Sequence, residues 1–140
     1  MDTKSLEALV RQILMEKLGI GHGVKTIKVP ELRVAEADRM DTGNRADRVY
    51  TKDLFTLQES PRLGAGLMEM TDTTFPWTLN YDEMDYVISG RLDILIGGET
   101  VSAGPGEVIY IPKGSSIQFS VRGHARFLYF VYPADWQNQA

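Results

Sequence analysis

Apolar residues recur at helical spacing near the start of the chain. Residues 4–18, "KSLEALVRQILMEKL", place them three and four positions apart, at Leu6, Leu9, Val10, Ile13, Leu14 and Leu18. Such a stripe predicts an amphipathic helix, which Asp2, Thr3 or Ser5 can cap and Gly19 ends. Because a helix of about four turns is marginal alone in water, we expect it to dock on its own body, on a sister subunit or on another protein.

From Lys25 onward the pattern changes to short alternating runs broken by turns. The runs that suit strands are 25–29, 48–57, 65–70, 84–89, 91–96, 99–103, 107–111, 117–121 and 125–132. Gly97 and Gly98 separate two of these runs, which predicts a two-residue hairpin. The segment "GIGHG", residues 19–23, reads as a flexible tether. We therefore predict a helix with its tether over residues 1–23 and an all-β sandwich or barrel over residues 24–140.

Composition narrows the classes of partner. The net charge of −4 and the pI near 5.1 give no basic surface, so we expect no nucleic-acid partner. No apolar run is long enough to span a membrane, and the start of the chain lacks a secretory signal, which favours a cytoplasmic protein. Cysteine is absent, which excludes disulfides, thiolate nucleophiles and cysteine-bound zinc.

The body carries the spacing of two motifs found in β-barrel proteins. Glu83 is followed, after six intervening residues, by Gly90, and then Gly106, Pro112 and Gly114 follow in order. In these residues the chain resembles the cupin superfamily. The resemblance implies a jelly-roll β-barrel, and it implies four metal-ligand positions: two histidines and a glutamate in the first motif, and a third histidine in the second.

Three of those four positions hold side chains that do not bind metals. Trp77 and Leu79 stand at the two histidine positions of the first motif, and Ile117 stands at that of the second. A transition-metal site normally needs three or four protein ligands, with imidazole favoured. We therefore expect no tightly bound transition metal, and we expect Trp77, Leu79 and Ile117 to line an apolar pocket.

The remaining ligand position lies in an acidic segment, "YDEMD", residues 81–85. Residues two apart in a strand share a face, so Glu83 and Asp85 should both point into the barrel. Two carboxylates this close in a partly dry cavity either share a proton or hold a cation. Glu69, expected on a neighbouring strand, is a third candidate. The candidate catalytic residues are thus Glu83, Asp85, Glu69 and Tyr81, whereas Asp82 is expected at the solvated rim.

Longer segments narrow the resemblance further. Residues 39–54, 59–70, 77–90, 111–120 and 132–136 resemble, in the same order, the cupin domain of the ethanolamine-utilisation EutQ family. The resemblance implies a component of the bacterial microcompartment that processes ethanolamine, with acetate kinase activity that converts acetate and ATP to acetyl phosphate and ADP. Separately, the predicted amphipathic helix, residues 3–18, resembles the encapsulation peptides that bring enzymes to microcompartment shells. By analogy with small cupins, we expect a homodimer.

A kinase of this kind needs ATP and Mg²⁺, which the resemblance implies as cofactors. The chain has no G-x-x-x-x-G-K-[ST] phosphate loop, so no motif indicates where ATP binds. Glu69, Glu83 and Asp85 are the candidate Mg²⁺ ligands. Arg62 and Lys113 are the candidate phosphate contacts, because phosphoryl transfer depends on charge neutralisation. Two other classes stay open: a non-catalytic microcompartment scaffold or adaptor, and a small-molecule-binding cupin.

Overall fold

The helix α1 spans Thr3–Lys17 and confirms the helix predicted from the apolar stripe. Its cap is Asp2, whose Oδ1 accepts the N–H of Ser5 at 2.7 Å. The computed structural model describes residues 2–17 and 22–139. Leu18, Gly19 and most of the predicted tether therefore lie outside the described residues. The apolar side chains of α1 that the structure describes are all exposed: Leu6, Leu9, Val10, Ile13 and Leu14.

The described residues after α1 contain seven strands. The chain as a whole divides into two compact units, residues 1–30 and 31–140. The strands are β1 (Arg48–Asp53), β2 (Gly64–Thr78), β3 (Asp82–Ser89), β4 (Leu92–Ile96), β5 (Glu99–Ala103), β6 (Val108–Ile111) and β7 (Ser116–Tyr132). Short 3₁₀ turns span Val29–Glu31, Glu36–Asp38 and Trp136–Asn138. Within the described residues, no helix is long and apolar enough to cross a membrane.

The two long strands, β2 and β7, pair with each other and hold two layers together. The second half of β7 pairs with β3 and the first half of β2, while its first half pairs with β4 and the second half of β2. The strand order is β1-β2-β7-β3-β6, and β4 lies between β7 and β5. The expected all-β jelly-roll architecture is confirmed. Among the described residues, the pairings form an open path rather than a closed ring.

Alternation of apolar residues along β2 and β7 builds the core between the layers. Direct cross-strand partners point to the same side of a sheet, so Met68 with Phe127 and Phe75 with Phe119 face inward together. All four are buried in one apolar cluster. Phe75 and Phe119 stack with ring centroids 5.3 Å apart. The hairpin predicted at Gly97 and Gly98 is also confirmed, since both residues have the positive φ angles that such a turn needs.

Four strand predictions were wrong. The run predicted at 65–70 was too short, because β2 continues to Thr78. Residues 25–28 form no strand, and Val29 instead begins a 3₁₀ turn with Pro30. Strand β1 ends at Asp53, because Thr56 and Glu59 exchange side-chain to backbone hydrogen bonds that form a turn. The runs at 117–121 and 125–132 are one strand, β7, and the irregularity between them is a bulge at the corner between the layers.

Candidate functional site

Two carboxyl groups lie on the inner face of β3. Glu83 pairs with Val131 of β7 and Asp85 with Tyr129, and both partners are part of the buried core. The alternation expected from the sequence therefore places both carboxyls in the interior, with no bulge between them. Glu83 is 5% exposed and Asp85 is 0% exposed. Such burial is rare for acidic residues and marks the pair as a candidate site.

Burial makes ionisation of this pair unfavourable. It raises the pKa of Glu83 to about 7. Burial, followed by the nearby charge of Glu83, raises the pKa of Asp85 well above its usual range. In the described part of the chain, neither oxygen of Asp85 receives a hydrogen bond from an N–H or hydroxyl group. The Glu83 carboxyl is its polar neighbour, so the pair keeps at least one proton around neutral pH.

A small cavity opens onto Glu83. It measures about 30 Å³, and apolar and aromatic side chains form most of its wall: Met40, Met68, Phe75, Phe119, Val131, Trp77, Tyr81, Tyr129 and Trp136. A volume of this size holds about two water molecules. The site is therefore a narrow, largely apolar chamber with an acidic floor.

Three aromatic rings cover the cavity. The indole Nε1–H of Trp77 donates a hydrogen bond of 2.7 Å to the hydroxyl of Tyr81. The ring of Trp136, from the turn after β7, lies 5.3 Å from that of Tyr81 and 6.1 Å from that of Trp77. Burial, and then the charge of Glu83, raises the pKa of Tyr81 well above its usual range. Tyr81 therefore keeps its proton at neutral pH and can donate a hydrogen bond next to the pair.

Tyr129 lines the same cavity and is bonded to Asp53, although the sequence did not single out either residue. The Tyr129 hydroxyl donates to Asp53 Oδ1 at 3.3 Å, and burial, Asp53 and Glu83 raise the pKa of Tyr129 well above its usual range. The ring of Tyr129 lies across Gly66: a Cβ on Gly66 would stand only 2.0 Å from it. The glycines of "LGAG" (63–66) on β2 were the one signal in the sequence, since glycine in a strand often marks a close approach.

The three residues at the imidazole positions of the cupin motif lie in different environments. Trp77 lines the cavity, as expected. Leu79 and Ile117 are instead 0% and 4% exposed within the closed core, and other residues form the cavity wall. The expectation that all three line one pocket was therefore correct only for Trp77. Leu79 is held in the core because its backbone bonds with Ser115 and Gly114 across the turn.

The expectation that Glu69 joins Glu83 and Asp85 was wrong. Glu69 pairs with Arg126 of β7, on the face opposite the core. Its carboxylate contacts Arg126 Nη1 at 3.2 Å and Nε2 of His124, a residue of β7, at 2.9 Å. The expected three-carboxylate Mg²⁺ site is therefore not formed. Among the described residues, no group of three or more His, Cys, Asp or Glu is placed to hold a metal ion.

The candidate phosphate contacts and Asp82 lie on the surface. Arg62 and Lys113 are exposed, and neither belongs to the wall of the cavity. Their role as phosphate contacts stays a prediction. Asp82 points to the outer face of β3, where its Oδ1 accepts the backbone N–H of Lys113 at 2.9 Å and the hydroxyl of Tyr110 at 3.2 Å. Asp82 thus anchors a turn and is separate from the buried pair.

Comparison with known proteins assigns the family. The family model described as ethanolamine utilisation protein EutQ matches residues 1–138. The chain belongs to the EutQ family. A family member from Clostridioides difficile strain 630, named acetate kinase EutQ, is 58% identical over 151 residues, which cover 99% of this chain and 96% of that protein.

Other EutQ proteins and cupins agree with this assignment. Acetate kinase EutQ from Salmonella typhimurium strain LT2 is 42% identical, and the match covers 83% of this chain but only 49% of that longer protein. The solved structure of the Clostridium difficile EutQ protein is 66% identical, with a TM-score of 0.83, and covers 85% of this chain and 87% of its own. The cupin domain of Schizosaccharomyces pombe Cnp3, 15% identical with a TM-score of 0.60 over 81% of this chain and 72% of its own, shows the fold alone.

Proposed function

We propose that this EutQ-family chain is an acetate kinase that binds acetate at the Glu83–Asp85 pair and transfers the terminal phosphoryl group of ATP to it. The names of two EutQ relatives support the activity. The observation that carries the binding site is the Glu83 carboxyl, which lines the small apolar cavity and whose raised pKa lets it keep a proton. Asp85 lies outside the cavity wall and contacts Glu83, so Glu83 is the carboxyl that a bound acid would meet.

Acetate binding at this pair requires a proton. Two ionised carboxyls in a dry cavity would repel the acetate anion. A protonated Glu83, which lines the cavity, instead donates a charge-assisted hydrogen bond to the acetate oxygen, and such bonds are roughly twice as strong as neutral ones. The hydroxyl of Tyr81, also neutral, is a further donor at the cavity wall. The pair therefore acts as a hydrogen-bond donor that orients acetate.

The chemistry at the acetate end needs no general base. Acetate, like model carboxyl groups, is ionised at neutral pH, so its oxygen can attack the phosphorus directly. One oxygen–phosphorus bond forms as the bond to the ADP leaving group breaks, and catalysis depends on positioning and charge neutralisation. The apolar wall contributes by excluding water, which protects acetyl phosphate from hydrolysis.

A resident Mg²⁺ does not fit the buried pair. Mg²⁺ requires about six oxygen ligands in octahedral geometry and keeps several waters. The pair supplies two carboxyls, Glu69 lies on the opposite face of β2, and the cavity is too small for the waters. We therefore treat Mg²⁺ as part of the Mg·ATP substrate.

Formation of acetyl phosphate by the purified full chain tests this proposal. With acetate, ATP and Mg²⁺, we expect acetyl phosphate and ADP in equal amounts, and a rate that falls from acetate to propionate to butyrate because the cavity is small. Asp82→Asn is the matched control, since it removes a carboxylate on the outer face of β3. Stoichiometric release of phosphate without acetyl phosphate, or no reaction with any of the three acids, would exclude the kinase and leave a scaffold or a binding protein.

We also propose that α1 directs the protein to the shell of the ethanolamine-utilisation microcompartment. The exposed apolar stripe of α1 supports this, together with the resemblance of residues 3–18 to an encapsulation peptide. Co-sedimentation with purified shell proteins tests it. We expect deletion of residues 3–18 to abolish co-sedimentation and to leave acetate kinase activity unchanged, whereas equal co-sedimentation of the full and shortened chains would contradict it.

A homodimer is proposed through the outer face of the β3–β6–β7 layer. Six side chains on that face are 40–58% exposed: Met84, Tyr86, Val108, Tyr110, Phe130 and Tyr132. The register places them side by side, since Met84 pairs with both Tyr110 and Phe130. Aromatic side chains of about 200 Å² each at half exposure already give a patch of roughly 400 Å². Monomeric surfaces seldom exceed such a patch, whereas one partner in a stable dimer contributes about 800 Å².

A further inference from the structure

A second, larger cleft lies next to the acetate cavity, on the other side of its aromatic cover. It measures about 510 Å³, which is within the usual range for a small-molecule site. The cleft and the cavity share part of their walls, including Trp77, Tyr81 and Trp136. A ligand in the cleft would therefore lie directly beside the acetate site.

Aromatic rings form one wall of this cleft. Trp77 and Trp136 are the two tryptophans of the chain, and both line it. Both are only half-buried, so part of each indole remains available to a ligand, and their T-shaped packing sets the rings at 64° to each other. Exposed aromatic faces of this kind bind flat heterocycles by stacking.

Side-chain amides form another part of the wall. Asn80, Gln137 and Gln139 line the cleft. Asn80 Nδ2 donates to the backbone oxygen of Gln139 at 3.5 Å, and Gln139 Nε2 donates to that of Asp135 at 3.0 Å. Each of these bonds uses one of the two N–H groups of an amide, so the other N–H is not used by it and the carbonyl oxygen remains an acceptor. An amide offers an acceptor and a donor side by side, which matches the edge of adenine.

The charges at the cleft favour an uncharged ligand group. Arg39 and Asp41 both line it and oppose each other in sign. The guanidinium of Arg39 already bonds with the Glu36 carboxylate at 3.1 Å and with the backbone oxygens of Arg45 and Asp47. The cleft therefore offers stacking surfaces and amides rather than a strong anion site, which is the chemistry of a nucleobase site.

We propose that this cleft binds the adenine base of ATP, stacked on Trp136 and Trp77 and bonded at its edge by the amides of Asn80, Gln137 and Gln139. The proposal rests on the proposed acetate kinase activity. In this position the phosphates extend past Tyr81 toward the acetate cavity. This site would bind the nucleotide through its base, without the phosphate-loop motif that the sequence lacks.

Titration of the full chain with adenosine, and separately with ADP, tests this site through tryptophan fluorescence. Both tryptophans line the cleft, so we expect adenosine alone to change the signal saturably and more tightly than inosine, which lacks the exocyclic amine. Gln137→Ala, on an exposed residue, should reduce that preference. Gln118→Ala, on β7 away from the cleft, is the control and should bind adenosine as the wild type does.

Two substitutions of Trp136 distinguish stacking on the ligand from packing within the protein. Trp136→Leu should weaken adenosine binding about tenfold or more, and Trp136→Phe should restore it to within a few fold, because a phenyl ring still stacks. Adenosine binding that is absent in the wild type, or unaffected by both Trp136→Leu and Gln137→Ala, would overturn the site. If the cleft fails this test but the protein is an active kinase, the proposed function stands and only the adenine site is wrong. If adenosine binds saturably but the protein has no kinase activity, the adenine site stands and the proposed function is wrong.

Discussion

Glu83 and Asp85 point the same way from β3 into the core, where burial raises the pKa of both and the charge of Glu83 raises that of Asp85 further. In the cupin motif that the sequence resembles, imidazoles at three positions would bind a metal ion. Here Trp77, Leu79 and Ile117 occupy the imidazole positions, and the chamber beside Glu83 is narrow and apolar. We propose that a proton held by the pair neutralises the acidic floor of the chamber, where the cupin motif would place a metal ion.

The carboxyl pair should make the protein less stable as pH rises. Unfolded carboxyls titrate near pH 4, whereas the folded pKa of Glu83 is about 7 and that of Asp85 is also raised. Between these values the folded state binds more protons, so the free energy of unfolding falls with pH, by up to about 1.4 kcal/mol per unit for each proton. Asp85→Asn removes one acid and should flatten this slope and raise stability at pH 8.

Urea unfolding at pH 5, 6.5 and 8 measures that slope. Asp82→Asn is the control, because its amide oxygen can still accept the Lys113 N–H and its carboxylate is not buried with the pair. A wild type that gains stability between pH 5 and pH 8, or an Asp85→Asn variant that is less stable than the wild type at pH 8, would show that the pair is not held protonated.

Gly66→Ala should displace Tyr129 and destabilise the fold. The added Cβ would stand 2.0 Å from the ring of Tyr129, and overpacking of a closed core costs about 3 kcal/mol. Gly104→Ala is the matched control, because its nearest contact would be Glu107 Oε1 at 3.5 Å, an ordinary distance. Thermal unfolding of the two variants should differ clearly. Equal melting temperatures would mean that Tyr129 does not lie across Gly66.

The position of the carboxyl pair could be predicted from the sequence, whereas most of its surroundings could not. Alternation along β3 is a local property, so it placed Glu83 and Asp85 together. The same rule along "LMEM" (67–70) indicates that Glu69 faces away from its buried neighbours Met68 and Met70, and this signal was missed. Asp53 and Trp136 reach the site only through the register of β1 and the turn after β7, which a single sequence does not specify.

The proposed dimer face predicts one informative substitution. Phe130→Arg places a charge in the middle of the exposed aromatic face, where burial without a partner is unfavourable. We expect this variant to be a monomer by light scattering at concentrations at which the wild type is a dimer. Gln118→Arg, on the other half of β7, should remain a dimer. A wild type that is monomeric throughout, or a Phe130→Arg variant that is still dimeric, would contradict this interface.

Metal content distinguishes this site from that of a metal-binding cupin. Because Trp77, Leu79 and Ile117 provide no ligand atoms at the imidazole positions, the purified protein should carry no stoichiometric iron, nickel, zinc or copper. Elemental analysis after dialysis against a chelator measures this. About one firmly held transition metal per chain would require a different set of ligand residues, and it would overturn the proposal that a shared proton neutralises the pair.

The dependence of the Michaelis constant for acetate on pH tests the central claim most directly. With Mg·ATP saturating, it should rise about tenfold per pH unit above pH 7 in the wild type, because ionisation of the pair repels acetate. Glu83→Gln keeps an uncharged donor and should flatten the curve while retaining activity, and Glu83→Leu should raise the constant at every pH. A wild-type value independent of pH from 6 to 9, or a Glu83→Gln enzyme that is inactive at every pH, would contradict the claim that a neutral carboxyl pair holds acetate.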